Sequence, residues 1–210
     1  ARSRGELMVF LTQDAIPGSP DWLAGLVRNF DDPDVGAAYC RNVPRPDADT
    51  LTKIFSAGDP GYAEGRRETV LPEAAAYAAM GPHERRLLFN FNDVASAFRR
   101  DLWVRHPFPR TAFGEDILMA RAFLEAGFKV VYDDASVVEH SHDYDEEETY
   151  ARAKVDAQFN AEWLDRICVG SLKDVAELSV RLSEEDGAAI DALGLPGAET
   201  AELRRRGRSL

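Results

Sequence analysis

The order of elements in residues 7–41 constrains the fold more than any other feature of this chain. Leu7-Met8-Val9-Phe10-Leu11 is an unbroken apolar run of strand length. Such a run fits a strand buried on both faces, as in a parallel sheet. Residues 12–17 leave it as a loop. Ser19-Pro20-Asp21 then reads as a helix start, with Ser as N-cap and Pro at the first helical position. Trp22, Leu23, Leu26, Val27 and Phe30 recur at helical spacing until Asp31-Asp32-Pro33, and residues 35–41 form the next strand. This is an α/β order, and it puts Gln13 and Asp14 at the carboxyl end of a strand, where open α/β sheets bind ligands.

Further along, residues 44–84 are broken by Pro44, Pro46, Gly58, Pro60, Gly61 and Gly65, with helical character only over residues 74–80. A segment of this kind suits a binding loop or a lid. Residues 91–98 read as a strand leading into a helix over 100–105. A helix over 115–126 is closed by Gly127. Two short strands, 128–132 and 135–139, precede a long helix over 149–167 with Tyr150, Ala153, Ala157, Ala161 and Leu164 on one face. Beyond Gly170 the pattern is a small helical appendage with helices over 172–182, 184–193 and 198–206. Two parts follow: residues 1–169, and the appendage with its tail at 170–210.

Composition excludes some functions. A net charge of −12 over 210 residues argues against a general nucleic-acid binder. The apolar runs fall far short of the ~20 residues that span a bilayer, and no secretory signal is visible. Cys40 and Cys168 lie far apart and are read as reduced, buried thiols of a cytoplasmic protein. Trp22, Trp103 and Trp163 read as core residues.

Three clusters carry candidate chemistry. Asp14 is either a turn former or a ligand for a divalent ion on phosphates, since carboxylates suit hard cations. Glu115-Asp116 opens a helix, where both carboxylates complement the dipole; the same dipole is expected to hold Asp116 ionised, as a general base must be. His140 and His142 stand two apart just past a strand, which puts both on one face of an extended chain. Nitrogen and carboxylate ligands together tolerate Mn²⁺ better than Ca²⁺. The run at 143–148 is a helix lead-in, with Glu146-Glu147-Glu148 stabilising the first turn. Asn90 and Asn92, flanking Phe91 ahead of Asp93, form either a turn or a set of donors and acceptors for sugar hydroxyls.

Four segments resemble family 2 glycosyltransferases of the GT-A fold, in the rhamnosyltransferase-like branch: GELMVFLTQDAIPGSPDW from Gly5, FNDVASAFRR from Phe91, PFPRTAFGEDILMARAFLEAGFKVVY from Pro107 and ASVVEHSHDY from Ala135. They occur in the family's order across residues 5–152. The resemblance implies a partial GT-A mixed sheet flanked by helices. It implies transfer of a sugar, rhamnose in this branch, from a nucleotide-diphospho-sugar to an acceptor hydroxyl with inversion, in cell-envelope or extracellular polysaccharide synthesis. Asp14 resembles the last acid of the family's DxD-type motif, whose first position is Thr12 here, so one carboxylate remains. Asp116 resembles the catalytic base of the ED motif with Glu115 its neighbour, and His140, with His142 second, the downstream metal ligand. Gln13 and Asp14 are then donor-binding, and Asp14, His140 and His142 hold Mn²⁺ or Mg²⁺. A glycan or lipid-linked sugar is the implied acceptor, with the protein in the cytoplasm or peripheral at the inner membrane face.

One departure is expected to matter. The family carries a nucleotide-binding half before the point matched by Gly5, and nothing here corresponds to it. A truncated or split transferase with an exposed apolar sheet edge is therefore expected, open to self-association there. Two other readings remain: a non-catalytic remnant or partner subunit of a separate donor-binding half, and a metal-dependent hydrolase using the same acids and imidazoles.

Overall fold

The computed structural model describes residues 4–167 and 169–207. Cys40 is a buried thiol as expected, whereas Cys168 lies outside the described residues. The chain divides into two compact units: residues up to 45 with Asp59–Ser141, and Pro46–Gly58 with the chain from His142 onward.

The first unit is an α/β layer structure around a mixed sheet. Its strands are β1 (Leu7–Leu11), β2 (Ile16–Pro17), β3 (Val35–Val43), β4 (Arg67–Thr69), β5 (Ala95–Arg99) and β6 (Lys129–Glu139). The order across the sheet is β1-β5-β3-β6-β2, with β4 also on β6. Among the described residues only β3 and β6 pair in parallel; β5 is antiparallel to both β1 and β3. Helices α1 (Trp22–Arg28), α3 (Ala74–Ala79), α4 (Pro82–Leu88), α5 (Arg100–Arg105) and α6 (Glu115–Glu125) belong to this unit, and α2 (Thr50–Ala57) to the second.

Strand parity assigns the two faces. Val35, Ala38, Cys40, Ala95, Ala97, Val131 and Val138 pack with Leu26 and Phe30 from the α1 side, each buried. Burying a side chain such as Leu26 contributes about 1.5–3 kcal/mol. On the opposite face Phe98 meets Phe123 of α6 edge-on, with ring centroids 6.5 Å apart. Gly36 lets that layer close in: a Cβ there would lie 2.9 Å from both Leu102 and Phe128.

The structure corrects several expectations. β1 is not an interior strand of a parallel sheet. Among the described residues it pairs with β5 alone, antiparallel, with Val9 41% and Leu11 42% exposed. A continuous apolar run does not distinguish two-sided burial from an edge with one face uncovered. α1 begins at Trp22 after Asp21, without a side-chain cap bond, rather than at Pro20. β5 starts at Ala95, not at residue 91.

The two short strands expected at 128–132 and 135–139 are one strand, β6, with a bulge opposite Cys40 and Arg41. Asp133 stabilises the bulge: its carboxylate accepts from Ala135 N–H at 3.2 Å, Ser136 Oγ at 2.8 Å and Asn29 Nδ2 at 2.9 Å. Those polar residues imitate a chain break in the sequence.

Residues 44–84 are more ordered than expected and contain α2, β4, α3 and the first turn of α4. Elements of three to eight residues between Pro and Gly leave little periodicity to detect.

In the second unit α2 packs with α8 (Leu172–Ala192) and α9 (Gly197–Gly207) through Leu51, Ile190 and Leu203. Arg206 pairs with Asp49 at 3.1 Å, and Asp49 caps α2 by accepting from Leu51 N–H at 2.9 Å. The two helices expected at 172–182 and 184–193 are the single helix α8, because nothing at 183 terminates it. α7 (Glu146–Trp163) starts with Glu146-Glu147-Glu148 in its first turn, behind a reciprocal Asp145–Glu148 capping box. It spans Glu146–Trp163 rather than 149–167, and the expected apolar face is wrong. Tyr150 is 70% exposed and Ala153, Ala157 and Ala161 are exposed, leaving Leu164 alone of that set buried, while Phe159 and Asn160 are the buried residues of the helix. Trp163, expected in the core, is 38% exposed.

Candidate functional site

Topology gathers the polar candidates of the first unit at one end of the sheet. β1, β3 and β6 all finish there, and antiparallel β5 begins there, since Leu11 lies opposite Ala95 and Tyr39 opposite Ser96. Asp14 follows β1, Asp93 precedes β5 and His140 follows β6. α6 leads through Gly127 into Lys129 at the other end of the sheet, so its first turn, with Glu115 and Asp116, points back toward this one.

The loop after β1 is fixed on both sides. Thr12 N–H donates to Val94 O at 2.9 Å. Ile16 pairs with Glu139 on the far side of the sheet. Residues 12–15 therefore cross the ends of β5 and β3. Five peptide links reach at most about 18 Å, less than four flat strand spacings, so the sheet curls where the loop crosses. The crossing carries Asp14 to β6, where its Oδ2 lies 3.5 Å from His140 Nε2. Arg45 Nη2 donates to Asp14 O at 2.6 Å, and His140 is held by its N–H on Val43 O at 2.9 Å and by Tyr62 OH on its carbonyl at 2.9 Å. His140 is largely buried and Asp14 about one-third exposed.

Gly114 creates the second cluster. It stands before α6 with φ +73°, a left-handed conformation that costs other residues about 1–2 kcal/mol. Gly114→Ala is accordingly expected to lower unfolding stability by about that amount, measured by urea denaturation. Asp116 Oδ1 accepts from Ile117 N–H at 2.8 Å. Burial pushes the Asp116 carboxyl up to about 7, with Asp93 adding to the rise, Glu115 adding less, and the Ile117 N–H opposing it. This overturns the expectation that the helix dipole keeps Asp116 fully ionised at neutral pH. Each pKa unit is about 1.4 kcal/mol, whereas the dipole supplies about 0.3–1 kcal/mol in total.

Asp93 is the residue that sequence reasoning missed. Burial raises its carboxyl as well, with Glu115 contributing. Its only mark in the sequence is an acid two residues before β5, whose first four residues are buried, a position that turn chemistry explains equally well. Asp93→Asn is expected to move the Asp116 midpoint to lower pH, followed by carboxyl ¹³C chemical shifts. An unmoved midpoint would attribute the rise to burial alone. Asn90 belongs to the turn reading: it donates to Tyr39 OH at 3.3 Å and accepts from Arg86 at 3.4 Å.

Asp14 and His140 come together, as do Glu115, Asp116 and Asp93. Gln13 is exposed in the crossing loop. His142, also exposed, opens the second unit and stacks on Tyr144 with centroids 5.3 Å apart. The spacing of the Asp14 and His140 donor atoms suits one small cation: ligands about 2.1 Å from an ion at a tetrahedral angle are about 3.4 Å apart. A direct hydrogen bond would be shorter.

No family model matches the chain. Over 165 residues it is 32% identical to the O-antigen chain rhamnosyltransferase RfbN of Salmonella typhimurium, covering 77% of this chain and 50% of that protein. It is 30% identical to the O-antigen chain rhamnosyltransferase WbaN of Salmonella anatum over 165 residues, with the same coverage. The chain thus spans about half the length of the curated relatives it matches. A solved structure, the mannosyltransferase PcManGT of Pyrobaculum calidifontis in complex with GDP-Man and Mn²⁺, is similar with a TM-score of 0.50 and 23% identity, covering 98% of this chain and 55% of that one. That likeness concerns the fold.

Proposed function

We propose, for a glycosyltransferase chain of GT-A fold that is rhamnosyltransferase-like in sequence, that it transfers a sugar from a nucleotide-diphospho-sugar to a glycan or lipid-linked acceptor hydroxyl, with inversion. Rhamnose is the sugar favoured, because both curated relatives are named rhamnosyltransferases. The setting is cell-envelope or extracellular polysaccharide synthesis at the cytoplasmic face of the membrane. Among the described residues no helix is long and apolar enough to cross a membrane.

The observation that carries this reading is the convergence of an Asp–His donor pair and a partly buried carboxylate at one end of the sheet. Asp14 and His140 would hold a divalent ion, Mn²⁺ or Mg²⁺, with His142 a further ligand two residues along the chain. Bound there, such an ion offsets negative charge on a diphosphate. Gln13, beside Asp14 in the crossing loop, is assigned to the donor.

Asp116 acts as the base. Its Oδ1 is engaged by the Ile117 N–H, so the acceptor proton passes to Oδ2. The acceptor oxygen forms its bond to the anomeric carbon as the bond to the diphosphate oxygen breaks and that oxygen keeps the electron pair. One displacement inverts the anomeric centre. A base with a pKa near 7 is matched to this task, since ionised base is plentiful and the proton transfer remains favourable. Glu115 acts on Asp116 through its charge.

Because the chain spans about half of its relatives, a second reading is that it works with a separate donor-binding half. Incubating the purified chain with dTDP-rhamnose, Mn²⁺ and a lipid-linked glycan, and following the product by NMR, tests the proposal. A new glycoside of inverted configuration is expected. Free sugar released without acceptor would contradict transfer, and turnover only after adding a donor-binding polypeptide would favour the second reading.

A further inference from the structure

We propose that Arg45 is a diphosphate-binding residue, whose guanidinium holds the diphosphate of the sugar donor jointly with the divalent ion at Asp14 and His140. This deepens the transferase reading and rests on it.

The backbone around Arg45 fixes where its charge stands. Arg45 follows the end of β3 and lies between Pro44 and Pro46. The Pro44 ring locks its own φ, and Pro46 biases Arg45 toward an extended conformation. Arg45 N–H donates to Oγ of the buried Ser141 at 3.1 Å. Two residues earlier, Val43 O accepts from His140 N–H at 2.9 Å. The segment that carries Arg45 thus lies along the segment that carries His140. Asp14, Arg45, His140 and Ser141 all belong to the first unit.

The side chain then reaches the crossing loop, where Nη2 donates to Asp14 O at 2.6 Å. That bond goes to the carbonyl, so the Asp14 carboxylate keeps its place 3.5 Å from His140 Nε2. Arg41, the arginine before it in the chain, instead pairs with the Glu64 carboxylate at 3.2 Å. One donor on one nitrogen of Arg45 is used in this way. Most of the planar fork remains for an anion.

Charge identifies the anion. Thr12 stands where the resemblance implies an acid, so the ion would have one carboxylate ligand and the neutral imidazole of His140. Held so, it keeps a net positive charge, and a guanidinium bonded to the same Asp14 is repelled by it. An anion lying against both is attracted by each. A diphosphate has oxygens on two phosphorus atoms, which lets it meet an ion and a guanidinium fork together. Its negative charge grows by one as the bond to the anomeric carbon breaks and the bridging oxygen keeps the electron pair. The fixed charge of Arg45 therefore holds the departing diphosphate more strongly than the intact donor, which is the differential binding that accelerates a step.

Calorimetry on the full chain tests this, first with Mn²⁺ alone and then with dTDP at saturating Mn²⁺. Arg45→Gln, whose amide can still donate to Asp14 O, is expected to leave Mn²⁺ affinity unchanged. It should weaken dTDP binding by about 10–100-fold, the loss of a hydrogen bond to a charged group. Arg45→Lys keeps the charge without the fork and should recover part of that loss. Geranyl diphosphate carries the same two phosphates on a lipid and is expected to bind more weakly than dTDP. An unchanged dTDP affinity in Arg45→Gln overturns the proposal and spares the transferase reading. So does an equal fall in Mn²⁺ affinity, which would make Arg45 a clamp on the crossing loop and nothing more. Geranyl diphosphate bound as tightly as dTDP would overturn the assignment to the donor. A chain that binds neither Mn²⁺ nor dTDP overturns both the proposal and the reading beneath it.

Discussion

Asp116→Asn is expected to lower kcat for sugar transfer by about 10²–10⁴-fold, the usual contribution of a positioned base, while leaving Mn²⁺ affinity unchanged. The amide keeps the shape of the side chain and can still accept from the Ile117 N–H, but it cannot take the acceptor proton. In the unsubstituted protein the carboxyl sits at about 7. Activity should therefore rise about tenfold per pH unit below that point and level off above it.

The stability profile has the opposite slope. Native Asp116 holds a proton that the unfolded chain releases near pH 4, so unfolding stability falls as pH rises from about 4 to about 7 and is level beyond. Asp116→Asn should remove that slope. A variant that keeps more than a tenth of the activity, with its pH profile intact, would transfer the role of base to another group; Asp93, which shares the electrostatic environment of Asp116, would then be the first to test.

Asp14→Ala and His140→Ala should each weaken Mn²⁺ binding by at least about 100-fold. Loss of an outer partner to a metal ligand already costs 10–100-fold, and these two residues are assigned as ligands themselves. Transfer activity should fall with the affinity and be partly restored by raising Mn²⁺. No added Mn²⁺ should restore Asp116→Asn, which separates ion binding from proton transfer. Calorimetry on the three variants provides the comparison. Unchanged Mn²⁺ affinity in both ligand variants would leave the Asp14–His140 contact as an ordinary partly buried ion pair.

Much of this fold was legible in the sequence because the strongest local signals are also the ones tertiary structure respects. The helix at α6 and its Gly127 stop are stated by local chemistry, whereas α7 was expected from residue 149 and starts at Glu146, because the Asp145–Glu148 capping box draws the acidic lead-in into its first turn. The adjacency of β1 to β5 was not legible, because pairing partners and edge position depend on contacts across some ninety residues. The bulge in β6 hid a continuous strand: Asp133 and Ser136 satisfy one another through side chains there, which in sequence resembles a turn. The segment 46–58 folds with the C-terminal helices through Leu51 and Arg206, a long-range choice that its Pro- and Gly-rich flanks disguise.

The candidate site divides in the same way. Asp14, Asp116 and His140 were legible as residue types at suggestive positions, and the fold accounts for their common end of the sheet. Asp93 was not, since its effect on Asp116 exists only once β5 and α6 pack together. The ionisation of Asp116 was misjudged from sequence for a related reason: the helix dipole is local and readable, whereas burial and the neighbouring carboxylates arise from packing.

Paramagnetic broadening of backbone amide signals by Mn²⁺ tests most directly whether the ion pair and the base share one site. Broadening is expected to be strongest around Asp14 and His140, to reach Val94 and Ile117 in graded fashion, and to vanish in Asp14→Ala. Broadening centred on the acidic helix starts of the second unit, unchanged by Asp14→Ala and sparing Ile117, would contradict the account.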